Sequence, residues 1–282
     1  MITPFDALAC PLDGQPLQRS GAAWRCAAGH NFDIASQGYA NLLPVQKKRS
    51  RDPGDSKEMV AARRRFLETG VYRPIADAVN QTTLAGLPRH ASCLDAGCGE
   101  GYYLRSLGEA AGDTHRLELI GLDISKWAVQ AAARREPRMR WVVGSNANLP
   151  VQSGTLDCVL CMFGFPVYSE FARVLKPGGV LIQVDAGPDH LRELREIIYP
   201  TLKPERDADG RPPPGFVHAG ASSVRRSFTL SGAIQIADLL VMTPHLYRAS
   251  AEGRARAAAL ASIDLTLDAR ITCFTRLQAA PA

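Results

Sequence analysis

The 282-residue chain is 46% hydrophobic and 22% charged, which excludes wholesale disorder, collagen-like repeats and a coiled coil. Its longest uncharged apolar stretch, residues 158–169, is short of the roughly 20 residues that span a bilayer, and its first residues lack the basic and apolar regions of a secretory signal. The net charge is +5, and residues 47–65, with eight basic and three acidic side chains, carry an equal excess by themselves.

Residues 1–45 show little helical periodicity and are rich in turn formers such as Pro11, Gly14, Pro16, Gly21, Gly29 and Gly38. A segment of this kind buries little core and needs a staple. The spacing Cys10-x2-Asp13-x12-Cys26-x3-His30 is that of a zinc site, two ligands at a tight turn and two after a hairpin-length gap. Asp13 stands where a thiolate is usual, and a harder oxygen ligand weakens such a site. The alternative is a metal-free hairpin with Cys10 and Cys26 packed as small apolar residues. The seven cysteines are odd in number; without a secretory signal, reduced thiols in a cytoplasmic protein are expected.

Residues 46–90 read as a basic helical linker, with helices over 55–70 and 73–86. The charge of residues 47–65 suits a polyanion, with a solvated helix face as the plain alternative. From residue 91 to 282, short apolar runs alternate with helical segments. Strands are expected at 92–96, 117–122, 140–143, 156–162 and 179–185, and helices at 101–111, 125–136 and 167–175. That alternation predicts βαβ units and a mostly parallel sheet. A Pro- and Gly-rich loop is expected over 203–220, then a strand at 222–229, two helices and a strand at 263–277, the two strands pairing antiparallel at an edge. Cys158 and Cys161 fall on opposite faces of their strand, so both are expected in the core.

The strongest motif is Asp95-Ala96-Gly97-Cys98-Gly99-Glu100-Gly101, between an apolar strand and a helix. Its glycines allow a sharp turn and close approach of a ligand. Asp95 suits a cationic ligand better than a pyrophosphate, and no Lys or Arg lies in the loop to neutralise phosphate. Asp123, at the end of the next strand, stands where ribose hydroxyls are gripped. The alternative is a dinucleotide-binding Rossmann domain.

These residues, with Phe171-Ala172-Arg173-Val174-Leu175-Lys176-Pro177-Gly178-Gly179, resemble the class I S-adenosylmethionine (SAM) methyltransferases. The resemblance narrows with Cys10-Pro11-Leu12, Cys26, His30-Asn31-Phe32-Asp33, the run from Gly38 through Gln46, and Arg49-Ser50-Arg51-Asp52-Pro53-Gly54-Asp55, with further pieces at Met242-Thr243-Pro244 and Tyr247-Arg248. Together they are similar to the bacterial 23S rRNA guanine-N1 methyltransferases, a family that includes housekeeping enzymes and macrolide-resistance relatives. The resemblance implies an α/β fold: a Rossmann-like, mostly parallel seven-stranded sheet behind a zinc-ribbon-like module that recognises RNA. It implies SAM and Zn2+ as cofactors, 23S rRNA as substrate and a homodimer. It carries SAM contacts onto Tyr72, Gly99, Glu100 and His190, beside Gly97 from the loop and Asp123 from the next strand, and zinc onto Cys10, Asp13, Cys26 and His30, with Asp13 departing from the family's usual cysteine.

Loss of the guanine N1 proton requires a base, which the sequence leaves unnamed. Asp157 begins its strand, away from the ligand edge, and Asp185 lies at the right edge without a motif to single it out. Phe163 or Phe165 would stack on the guanine or else fill the core. Two rival functions remain, a small-molecule SAM methyltransferase and a non-enzymatic RNA-binding protein with a vestigial SAM fold. The basic window and zinc-like module speak against the first, and the intact glycine loop and Asp123 against the second.

Overall fold

A computed structural model describes residues 1–47, 50–202, 211–243, 245 and 249–278. Five short strands come first: β1 (Ile2–Pro4), β2 (Gln18–Ser20), β3 (Ala23–Arg25), β4 (Asn31–Asp33) and β5 (Ala40–Asn41). Two helices follow, α1 (Lys57–Glu68) and α2 (Arg73–Gly86). The alternating half runs β6 (His90–Ala96), α3 (Tyr102–Ala111), β7 (Arg116–Asp123), α4 (Lys126–Arg135), β8 (Arg140–Val143), β9 (Leu156–Met162), α5 (Tyr168–Val174), β10 (Leu175–Ala186) and α6 (Arg192–Ile198). The chain closes with β11 (Phe216–Ser231), α7 (Ala233–Met242), α8 (Ala251–Ala258) and β12 (Ser262–Arg276).

The central sheet has the order β11-β12-β10-β9-β6-β7-β8-β5, with β1 also paired to β7. The pairs from β10 to β5 are parallel; β12 runs antiparallel to both β10 and β11. The expected seven-stranded sheet is thus a nine-stranded one among the described residues. The two additions come from the turn-rich N-terminal segment, where Ile2 pairs with Leu117 and Ala40 with Val142. The physical reason is burial. Phe5, Leu8, Leu17 and Trp24 cannot form a core alone; they share one with Val142 and Leu156 of the large sheet and with Leu149 and Val151 from the β8–β9 connection. The separate sheet β2-β3-β4 projects the ribbon hairpins from that base.

Elsewhere the apolar runs pack as strand periodicity dictates. Cys158 and Cys161 are both fully buried and belong to different core clusters on opposite faces of β9. One expectation needs correction: β11 starts at Phe216, so 216–220 are strand rather than loop, paired along β12 from Arg276. Residues 203–210 of that expected loop lie outside the described residues, as do Lys48, Arg49, Pro244, Tyr247 and Arg248.

The chain leaves β6 toward β7 on one side, while β9, on the other, continues toward β10. This reversal opens a crevice at the carboxyl ends of the strands, where open α/β sheets bind ligands.

Candidate active site

The crevice holds a cavity of about 1200 Å³. Its floor is the glycine loop. Gly97, Gly99 and Gly101 all take positive φ, at 98°, 55° and 83°, a region that costs a side chain but not glycine. The Trp141 ring packs under the turn, so a Cβ at Gly101 or Gly121 would run into it. Above Gly97 nothing lies within reach, which leaves the loop backbone open to a ligand.

Asp123 ends β7 beside the loop. Its carboxylate accepts the Gly99 N–H at 2.9 Å and the Ser125 N–H at 2.8 Å, and each oxygen keeps a lone pair for a further donor. Burial pushes this carboxyl above its ordinary range, against those two N–H bonds. The Glu100 side chain is buried and turned to Arg105, at 3.0 Å, and Arg135, at 3.4 Å. Only its position at the α3 entry, not a free carboxylate, is offered to the cavity. Asp95, near the end of β6, is fully buried, and neither oxygen has a hydrogen-bond partner among the described residues. Burial and the neighbouring Asp123 push it up to about 8. Orphaned polar atoms are rare in folded chains and mark missing ligands or water. Arg63 Nε and Asn146 Oδ1, both on residues lining the cavity, are orphaned as well. A spare arginine N–H and a spare amide acceptor on the cavity wall fit a carboxylate and a donor of the base-bearing SAM.

An aromatic group closes the far wall. Tyr72 sits at the entry of α2, is 3% exposed and lies 3.0 Å from His190 Nε2. The Asp268 N–H donates to His190 Nδ1 at 3.3 Å. Burial lowers the imidazole to about 4, so it is neutral and carries its single hydrogen on Nε2. His190 therefore donates to the Tyr72 oxygen, and the Tyr72 hydroxyl hydrogen is left for a ligand. Phe163 stacks on His190 with ring centres 5.8 Å apart and holds a φ of 51°. Such a conformation in a bulky residue is strained and collects at functional sites. Phe165 projects from the same turn, 87% exposed at the cavity edge.

The basic window reads as a polyanion contact or a solvated helix face, and Arg63 is neither. The residue lines the cavity, and its Cδ lies 3.5 Å from where a Gly99 Cβ would stand. Its guanidinium bonds Asp55 at 2.8 Å and the Met242 carbonyl at 3.1 Å. Arg65 is committed too, in a bidentate pair with the buried Asp238. The cause is helical period: with Val60, Phe66 and Leu67 facing the core, neighbouring positions 63 and 65 flank that face, and only Arg64 points away.

In the ribbon, the four expected ligands converge. Their donor atoms all lie within 4.8 Å of one another. His30 Nδ1 is 3.0 Å from Asp13 Oδ2, 3.3 Å from Cys26 Sγ and 3.5 Å from Cys10 Sγ. Ligands about 2.0–2.3 Å from a tetrahedral zinc stand at similar mutual spacings, so the donor set fits the ion. The Gln15 N–H holds the Asp13 carboxyl down to about 2, ionised as a ligand must be, whereas burial pushes the Cys10 thiol up to about 11.

The family described as "RlmA, N-terminal" matches residues 8–51, and "Methyltransferase domain" matches residues 93–179. A Bacillus subtilis protein assigned as a 23S rRNA (guanine-N1)-methyltransferase is 32% identical over 283 residues, 95% of this chain and 96% of its own. The Streptomyces fradiae 23S rRNA (guanine(748)-N1)-methyltransferase is 37% identical, covering 68% of this chain and 67% of its own. A Micromonospora griseorubida protein assigned to the same activity is 36% identical over 71% of this chain and 73% of its own. The chain belongs to the 23S rRNA (guanine-N1)-methyltransferase family.

Six residues that the sequence marked for the cofactor of this methyltransferase, Tyr72, Gly97, Gly99, Glu100, Asp123 and His190, line one cavity. Sequence reasoning missed Arg63 there, since three consecutive arginines on a helix do not reveal which one faces inward. It also missed Trp141 as the loop's support. The glycines at 101 and 121, each with no room for a side chain, were the available signal.

Proposed function

We propose that the protein transfers a methyl group from SAM to N1 of one guanine in 23S rRNA. The observation that carries the reading is the single cavity joining the glycine loop and Asp123 to the Phe163–Phe165 turn and to α1. At about 1200 Å³ it exceeds the roughly 300–1,000 Å³ of ordinary ligand pockets, room for a cofactor and an everted base together. SAM supplies an activated methyl on a sulfonium. The chain's part is to orient and to exclude water, which accounts for much of the barrier in such transfers. In this reading Asp123 holds the ribose hydroxyls. The Gly97, Gly99 and Glu100 backbone and Arg63 meet the methionine end, and Tyr72, held by His190, gives its hydroxyl hydrogen to the cofactor. Phe165 stacks on the guanine.

Residues 1–45 act as the RNA-recognition module, with Zn2+ on Cys10, Asp13, Cys26 and His30. Residues 46–90 are the basic linker, and 91–282 the methyltransferase domain. The exposed positions of the linker meet rRNA phosphates. No helix among the described residues is long and apolar enough to cross a membrane; a cytoplasmic location follows from the substrate, and a homodimer from the family resemblance. The test is purified protein with unmodified 23S rRNA and labelled SAM, read by nucleoside mass spectrometry. The expected product is 1-methylguanosine; label on another base, or none, would refute the reading.

A further inference from the structure

Guanine N1 carries a proton at neutral pH, and methylation requires that it leave. Four carboxylates line the cavity among the described residues: Asp55, Glu100, Asp123 and Asp185. Asp55 is paired with Arg63, Glu100 with Arg105 and Arg135, and Asp123 holds two backbone N–H groups beside the glycine loop. Asp185, near the end of β10, is different. Its Oδ2 accepts the Gln183 Nε2–H at 2.7 Å, and its Oδ1 has no hydrogen-bond partner among the described residues. The Tyr168 hydroxyl donates to Gln183 Oε1 at 2.9 Å. That bond fixes which end of the amide is the donor, so Gln183 holds one carboxylate oxygen and leaves the other free. The Phe163 N–H bonds the Val184 carbonyl at 2.8 Å, so the carboxylate stands beside the turn that carries Phe163 and Phe165.

We propose that Asp185 is the catalytic base that takes the N1 proton of the guanine. The inference rests on the rRNA reading given above. The Watson–Crick edge of guanine offers N1–H and an N2–H side by side, and a carboxylate accepts such parallel donors as it does from arginine. Adenine, whose N1 is an acceptor, would be repelled at the same place. As N1 bonds the methyl carbon, the carbon–sulfur bond breaks. Its electron pair stays on sulfur in S-adenosylhomocysteine, and the N1 proton passes to Asp185 Oδ1 and thence to water. The titratable and charged neighbours of Asp185 are the Cys161 thiol on β9, the Tyr168 phenol on α5 and Arg270 opposite it on β12.

The experiment compares wild type with Asp185→Asn, full-length, in single-turnover methylation of 23S rRNA, alongside calorimetry with SAM. The variant should bind SAM as wild type does and methylate about 10²–10⁴-fold more slowly. Its rate should then climb about tenfold per pH unit, as hydroxide in solution does the work of the missing base. A rate within about threefold of wild type would overturn the proposal, as would lost SAM affinity in a folded variant, which would make Asp185 a cofactor contact. If Asp185→Asn does not fold, Gln183→Leu carries the test: an unanchored carboxylate should slow transfer at unchanged SAM affinity, and an unchanged rate would overturn the assignment. Should wild type itself make no 1-methylguanosine, the rRNA reading fails instead.

Discussion

Asp123 and Asp95 lie one strand apart, and their surroundings assign them different work. Asp123 has two backbone donors and spare lone pairs, so Asp123→Ala should lower SAM affinity at least about tenfold by calorimetry, roughly 1.4 kcal/mol; unchanged affinity would remove it from the ribose site. Asp95 has no hydrogen-bond partner among the described residues. It titrates near 8 in the fold against 3.8 unfolded, so between those values the folded chain binds the extra proton. Stability then falls as pH rises from about 4 to 8. Thermal melts of the ligand-free protein should show that slope flattened in Asp95→Asn, and a slope equal to wild type would contradict the account. The arginines of α1 separate in the same way. Arg63→Ala should weaken SAM binding, because its guanidinium lies in the cavity. Arg64→Ala should spare SAM and weaken RNA binding, with the salt slope reduced by about one phosphate's share. Equal effects of the two variants on SAM would undo this division.

At the scale of elements, the ribbon and the glycine loop were legible because their chemistry lies in residue type and spacing. Cys10, Asp13, Cys26 and His30 meet as their spacing requires, and strand β6 runs into Gly97 where the motif demands a turn. The helix-strand alternation was legible too: β8 and β9 fall on the expected residues, since short apolar runs between helices have few other uses. What lay hidden was partnership between distant elements. Nothing local in Ile2 or Ala40 says that β1 and β5 join the large sheet; only the need of Phe5, Leu8 and Trp24 for a shared core does. The facing of Arg63 depends on α7, 179 residues away in sequence. The ribbon gives its own prediction. Protein purified without chelator should carry one zinc per chain, bound more weakly at low pH as protons compete with the metal for the thiolates. Asp13→Cys should tighten the metal, a thiolate being the softer ligand. Substoichiometric metal, with melting indifferent to chelator, would mean a metal-free hairpin.

For the molecule as a whole, the strand order puts the glycine loop, Asp123, the Phe163 turn and Asp185 at the carboxyl edge of one sheet, while β1 and β5 anchor the ribbon to the same sheet. Cofactor chemistry and the zinc-ribbon-like module are thereby held on one frame, with the basic helix α1 contributing Arg63 to the pocket and Arg64 to the surface. The central claim is methylation of 23S rRNA at guanine N1, and nucleoside mass spectrometry of 23S rRNA from cells lacking this protein tests it most directly. The account predicts the loss of one 1-methylguanosine, restored by the wild-type chain and not by Asp123→Ala; an unaltered 1-methylguanosine content in those cells would contradict it.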